Sequence, residues 1–294
     1  MILVGYQGKD VAFRKVLIQK VDMDTSLTAY ILGVSQNNQI EAIAGDASPQ
    51  DLADPSVLCI EVGGSGQTFL NNFDHHDPDG PVETACEQAF ALKGGDENLK
   101  RLVKYVSTID SRGGVSEFEK TEPPYLSSVF SGMLLCTPDP IEQLLKGMNI
   151  FATALKKGID PFSTVPLVEE WQEYLKAYEA NMKRRDSVQA MVKLFTTKRG
   201  LKGGFVETDF FGAPGLIYGL GCNIAVVCHP RYGSPPVRKF TIAGNNVQVR
   251  SLLPVLERLE MGWGGPATGT ILGSPRTGSH LTLEQVVELV KENL

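Results

Sequence analysis

A chain of 294 residues allows one large domain or, more naturally, two of ordinary size. With 42% hydrophobic and 21% charged residues it can bury a core, which excludes a disordered tail. Its formal net charge of −6 excludes a protein that coats long nucleic acid, which needs a basic surplus to displace counterions, and points to a small or short phosphorylated partner if the partner is phosphorylated at all.

The first ten residues have no basic flank and no small-residue cleavage site, so no signal peptide is expected. No apolar run approaches the roughly 20 residues of a membrane helix. The expected location is the cytoplasm, with no membrane partner and a homodimer left open. The strand signals begin at Val16-Leu17-Ile18, which runs into Val21-Asp22-Met23-Asp24, after which Thr25 or Ser26 can cap a helix through Leu32. Short β-rich runs follow at 40–44 and 57–62, the second ending in the loop Gly63-Gly64-Ser65-Gly66. Residues 99–108 read as a helix with Leu102, Val103 and Val106 on one face, leading to Ile109-Asp110. From 124 to 159 the pattern is largely helical, broken at Thr137-Pro138-Asp139-Pro140. Pro166 opens the longest helical stretch, to about Phe195; its Lys183-Arg184-Arg185 reads as a solvated face. Glycines are dense from 200 to 221. Strands at 222–228 and 237–242 and a helix at 283–292 complete the chain. The five cysteines are an odd, scattered set with no CxxC pair, as expected of reduced buried thiols.

Two of the four histidines are adjacent, at His75 and His76, directly after Asp74. Neighbouring side chains at a strand end point in different directions, so one imidazole can bind a metal while the other faces a substrate. The run closes a short apolar segment (Phe69, Leu70, Phe73), where two imidazoles and a carboxylate together need partners or a cation. The competing reading is an acidic loop with two chance histidines. Asp22 and Asp24 follow a strand and precede a helix; carboxylates one residue apart can reach one cation, or two cations roughly 4 Å apart. Capping by Asp24 with dipole compensation by Asp22 is the alternative. Glu61 closes 58–60 and Asp110 closes 106–109, so four predicted strand ends each bear an acid or a histidine, where crevices of α/β sheets form.

Further along, His229, Arg231 and Arg250 follow apolar strands, and arginine suits phosphate because its guanidinium binds two oxygens at once. Gly262, Gly264 and Gly265 would let backbone N–H groups approach an anion; a turn with a surface arginine is the competing reading. Trp263 reads as a core or interdomain anchor before a stacking platform, and His280 as incidental.

The order Asp22-Met23-Asp24-Thr25-Ser26, Glu61-Val62-Gly63-Gly64, Asp74-His75-His76 and Thr108-Ile109-Asp110 resembles the four motifs of the DHH phosphoesterase superfamily. Residues 261–271 are similar to the glycine loop of its C-terminal companion domain, so the resemblance covers nearly the whole chain. That superfamily includes RecJ-type exonucleases, oligoribonucleases, cyclic-dinucleotide phosphodiesterases and manganese pyrophosphatases. The resemblance implies an α/β protein: an N-terminal doubly wound, mainly parallel sheet domain over 1–165, a connecting helix over 166–197, and a smaller C-terminal α/β domain over 198–294 that binds substrate through a glycine-rich loop. It implies a divalent-metal-dependent hydrolase of a short oligonucleotide or small nucleotide. Asp22, Asp24, Glu61, His75 and Asp110 would hold one or two ions, Mn²⁺ or Mg²⁺. His76 would face the phosphate with Asp74 orienting its neighbours, and His229, Arg231, Arg250, Gly264 and Gly265 would hold the substrate. Three positions depart from the pattern: Ile18 stands where a histidine is usual, Glu61 where an aspartate is, and Pro266-Ala267 where the glycine loop carries a histidine. A second outcome is therefore a catalytically degenerate member that binds a nucleotide or phosphorylated metabolite as a sensor. A third, an interaction module, requires the acidic constellation to be accidental.

Overall fold

Val16, Leu17 and Ile18 are apolar without alternation, the pattern of a strand covered on both faces. They lie in β1 (Lys15–Ile18) of the computed structural model, which describes residues 13–77, 80, 83–112, 123–210, 212–233, 235–266 and 268–294, with the side chains of 111 and 112 left out. The first ten residues and Ala267, both read above, lie outside the described residues. By internal contacts the chain divides into Met1–Glu179 and Ala180–Leu294.

In the first unit β1 pairs in parallel with β2 (Ile40–Ala42) on one side and β3 (Val57–Ile60) on the other, and β4 (Asn72–Phe73) adds in parallel beyond β3. Helix α1 (Met23–Ile31) carries the chain from β1 to β2, and α2 (Pro49–Leu52) from β2 to β3. Side chains alternate with period two. Val16, Ile18, Leu58 and Ile60 join the large core with Leu27, Phe130, Phe151 and Trp171, while Leu17, Val57 and Cys59 pack on Ala47, Val62 and Leu52 on the opposite face. Helices α3 (Ala85–Lys93), α4 (Glu97–Arg112), α5 (Leu126–Cys136) and α6 (Pro140–Lys156) follow. The break before α6 comes from Pro140 in its first turn and Asp139, whose Oδ1 accepts the Glu142 N–H at 2.8 Å. In α4, Leu99, Leu102, Val103 and Val106 are buried at helical spacing, and the helix continues through Asp110. Asp110 is thus on a helix and not at a strand end, which corrects the sequence reading.

Helix α7 (Gln172–Met191) contains the division between the units and stops four residues short of Phe195. The Lys193–Thr196 segment is β5, antiparallel to β6 (Lys202–Glu207). Phe195 is buried against Gly203 opposite it, where any Cβ would lie 2.2 Å from the ring. That aromatic-on-glycine packing holds the segment as strand, against the helical expectation. The second unit continues through α8 (Ala213–Gly219), β7 (Ile224–Tyr232), β8 (Val237–Gly244), α9 (Leu253–Leu259), β9 (Ile271–Gly273) and α10 (Leu283–Asn293). Its sheet has the order β5-β6-β7-β8-β9, with only β6 and β7 parallel. One face packs Val226, Phe240 and Ile242 against Leu256, Trp263 and Val290; the other packs Ala225 and Val227 against Leu216 and Ile217. Two α/β units, the first built on a parallel sheet, match the expected fold class. Among the described residues no helix is long and apolar enough to cross a membrane, and the five cysteines form no disulfide.

Candidate metal centre

Helix α1 begins on Asp22, whose Oδ1 accepts the Thr25 N–H at 2.9 Å. The cap is therefore Asp22 and not Thr25 or Ser26, both of which lie buried within the helix. Asp24 does not cap α1 either. Its carboxylate closes the start of α3, with Oδ2 accepting the Ala85 N–H and Oδ1 the Cys86 N–H, each at 2.8 Å. Two of the N–H groups that the first turn of α3 leaves without intrahelical partners are thereby satisfied by a residue 61 positions earlier.

Beyond β3 the backbone of Glu61 turns left-handed, at φ 54°. Its Oε2 accepts the Thr25 hydroxyl, which also lies 3.0 Å from Asp22 Oδ1. Asp74, after β4, accepts three donors: Gly63 N–H at 2.7 Å, Ser65 Oγ at 3.0 Å and His76 N–H at 2.7 Å. These bonds tie the glycine turn after Glu61 to the histidine pair. At Gly64, with φ 73°, a Cβ would sit 2.9 Å from Asn72 Nδ2, so glycine is required there on both counts. Gln88 of α3 secures the run from behind, its Nε2 donating to Asp74 O at 2.9 Å and Glu83 O at 2.8 Å. The two imidazoles diverge. His76 is 64% exposed with Nδ1 3.3 Å from Asp74 Oδ1, whereas His75 points inward.

His75 Nε2 lies 3.2 Å from Asp110 Oδ2, 3.6 Å from Glu61 Oε1 and 3.9 Å from Asp24 Oδ2. It is buried, yet forms a well-directed hydrogen bond with none of them, and Glu61 Oε1 is likewise buried without one. Asp22, Glu61 and Asp110 offer a second set of converging oxygens, and all three lie within 4.8 Å of one another. Among the described residues His75 is the one cationic side chain within ion-pair distance of Asp24, Glu61 or Asp110. Burial, then the neighbouring Glu61, raises the carboxyl of Asp22 to about 6 and that of Asp24 to about 7. The contacts with Asp110 and Glu61 lift His75 to about 10. Asp74 behaves oppositely: burial pushes it up, but the bonds from His76, Gly63 and Ser65 prevail and hold it below the ordinary value.

This donor set fits a hard divalent cation. Ligands about 2.0–2.2 Å from one ion stand roughly 3–3.5 Å apart, close to the contacts around Nε2, and oxygen-rich sets with one imidazole favour Mn²⁺ or Mg²⁺ over zinc. Two sets, Asp24-His75-Asp110 and Asp22-Glu61-Asp110, share Asp110. Gln88, which secures the run from behind, carried no functional signal in the sequence, and Thr25 was legible only as a helix cap and as part of the first motif. Ile18, where a histidine is usual, is fully buried in the core and offers no ligand.

The five residues expected to hold substrate do not form one group. Gly244, at the end of β8, pairs with Ile224 and donates to Thr270 O; nearby, Arg250 N–H donates to Gly269 O at 3.1 Å and its Nη1 reaches Pro266 O at 3.4 Å. Arg250 and residues 269 and 270 of the glycine loop therefore share one end of the sheet, while Gly264, paired with Gly273 opposite Thr241, lies level with Val227 midway along β7. His229 and Arg231 lie towards the other end of β7; seven positions separate Ile224 from Arg231, about 23 Å at roughly 3.3 Å per residue. His229 is buried, and burial holds its imidazole below the ordinary value. Arg231 lies 3.5 Å from Asp209 with its side chain 77% exposed. A Cβ at Gly265 would fall 2.0 Å from Ile271 O, so packing explains that glycine, whereas at Gly264 it would meet nothing. Trp263 is a core residue: 3% exposed, stacked on Phe240, with Nε1 donating to Glu260.

Comparison with protein-family models and with curated proteins gave no match. Among solved structures, the chain is similar to a pGpG-specific phosphodiesterase, PggH, from Vibrio cholerae, with a TM-score of 0.54, 14% identity, and coverage of 95% of this chain and 96% of that one. The two chains share a fold over nearly their whole lengths. A DHH domain from a member of a family of ribosomal proteins matches with a TM-score of 0.37 and 13% identity, over 95% of this chain and 86% of that one.

Proposed function

We propose that the chain is a divalent-metal-dependent phosphoesterase that hydrolyses a short oligonucleotide or small nucleotide phosphoester. The observation that carries this reading is the buried Nε2 of His75, ringed by carboxylate oxygens of Asp24, Glu61 and Asp110 without a directed hydrogen bond. Asp22, Asp24, Glu61, His75 and Asp110 would hold one or two ions, Mn²⁺ or Mg²⁺. A bound cation supplies Lewis acidity and lowers the pKa of a water ligand to the range where it can attack phosphorus. His76 stands beside His75, ring centroids 4.5 Å apart. The Nδ1 contact with Asp74 sets its ring and leaves Nε2 to stabilise phosphate charge or protonate the leaving oxygen. For the substrate, Arg250 beside the glycine loop bearing Gly264 and Gly265 would be one anion contact and Arg231 with His229 the other.

The experiment is Mn²⁺ titration by calorimetry together with turnover of pGpG, pApA and bis-p-nitrophenyl phosphate. Micromolar or tighter manganese binding with manganese-dependent cleavage supports the reading. A protein that binds no Mn²⁺ and cleaves none of the three would sink it. The buried Ile18 favours a second reading, a sensor that binds nucleotide without turnover; binding of pGpG with no cleavage at saturating Mn²⁺ would select it.

A further inference from the structure

Beside the carboxylates, and wholly within the first unit, lies a cavity of about 180 Å³ between α1, α4 and α5. Asp22, Asp24 and Asp110 form one side. The other is apolar, built from Met23, Val106, Ile109, Phe130 and Leu134. Ser127 and Ser131, one helical turn apart on α5, complete the lining. The metal reading uses only the acidic side and leaves the apolar wall unexplained.

We infer that this cavity is a subsite for one heteroaromatic ring, the base of the nucleotide whose phosphate the acidic cluster would hold; the inference rests on the phosphoesterase reading above. Three observations point there. The volume suits a single ring: apolar cavities of about 150 Å³ take up benzene, while sites that engulf a drug-sized ligand run to roughly 300–1,000 Å³. The wall chemistry suits an uncharged ring and repels a second phosphoryl group, because the charged groups lining it are all carboxylates. The two serine hydroxyls provide hydrogen-bonding groups for ring nitrogens or exocyclic groups, the small polar complement that orients a ligand in a mostly apolar pocket. The subsite therefore selects nucleotidyl esters over inorganic pyrophosphate and over abasic sugar phosphates.

The test compares AMP with ribose 5-phosphate, binding to the full chain at saturating Mn²⁺, by calorimetry. AMP is expected to bind at least tenfold more tightly. Ser131 is exposed on α5, so Ser131→Phe can fill the cavity without disturbing the core, and it is expected to bring AMP down to the affinity of ribose 5-phosphate. Equal affinity of the two compounds for the unmodified chain would overturn the subsite, and that measurement does not depend on any variant folding. An AMP advantage that persists in a folded Ser131→Phe would overturn it too. In both cases manganese binding and ester cleavage would still stand. A chain that binds neither Mn²⁺ nor either phosphate would instead overturn the phosphoesterase reading, and the subsite with it.

Discussion

Around His75, four carboxylates and an imidazole are gathered in a largely buried cluster, with His75 Nε2 and Glu61 Oε1 left without directed hydrogen bonds. Around Gly264 the backbone is paired instead: Gly264 and Gly273 exchange both N–H···O bonds at 3.0 and 2.7 Å, Gly269 N–H bonds Pro266 O, and Glu260 accepts from Trp263, Ser279 and His280. The first region is held together by its surroundings in spite of its charges, and the second by its own bonds. Charge that is buried and uncompensated calls for a ligand to complete it. A satisfied loop can be shaped for a ligand, but its stability does not depend on one.

The sharpest way to break that contrast is to remove one ligand from each region. His75→Ala should weaken Mn²⁺ binding by about a hundredfold or more, whereas Arg250→Ala and Arg231→Ala should leave it unchanged, all measured by calorimetry. Manganese affinity that fell equally in the arginine variants would erase the distinction. Next come the glycines. Gly265→Ala drives a Cβ into Ile271 O and should destabilise by about 2 kcal/mol or more, lowering Tm by several degrees, while Gly264→Ala should stay within about 0.5 kcal/mol and raise KM instead. If Gly264→Ala also left KM unchanged, the open space beside its Cα would have no part in binding.

A smaller effect separates the regions by pH. Asp22 and Asp24 titrate near 6 and 7, above their ordinary 3.8, so the folded state holds more protons than the unfolded one between about pH 4 and 7. Their contribution to stability is full below pH 4 and is lost as pH rises through 7. His75, raised from 6.5 to about 10, contributes fully below pH 6.5 and loses that contribution on the way to 10. Metal-free protein should therefore melt lower at pH 8 than at pH 5.5. The lowered carboxyl of Asp74 acts only in more acidic solution, outside that window. Mn²⁺ competes with those same protons, so the rise in Tm that it causes should grow with pH. A metal-free Tm that is flat or rising between pH 5.5 and 8 would contradict the crowding of charge around His75.

Much of the architecture could be read directly from the sequence, because β1 and β3 are short, apolar and bounded by turn signals. Phe195 could not be read that way: its strand depends on Gly203 across the ladder, and no local pattern reports a cross-strand partner. Asp110 was legible as an acid near the others in kind but not in setting, since the short run 106–109 fits a strand as well as the helix to which it belongs. The convergence of Asp22, Glu61, His75 and Asp110 was expected from their predicted places at strand ends and from the resemblance, and from no spacing along the chain. That Arg231 and Arg250 lie towards opposite ends of one sheet followed only from the register of β7 with β8. Sequence order shows which residues follow a strand; it does not show at which end of the sheet that strand finishes.

The left-handed backbone at Glu61 carries one further consequence. A residue with a Cβ at φ 54° costs about 1 kcal/mol or more, which glycine would not incur. Glu61→Gly should thus give a protein that endures heat better and binds manganese worse, a variant that a thermal screen would rank first and an activity assay last. If Glu61 holds the proposed cation, durability and competence are set against each other at a single residue.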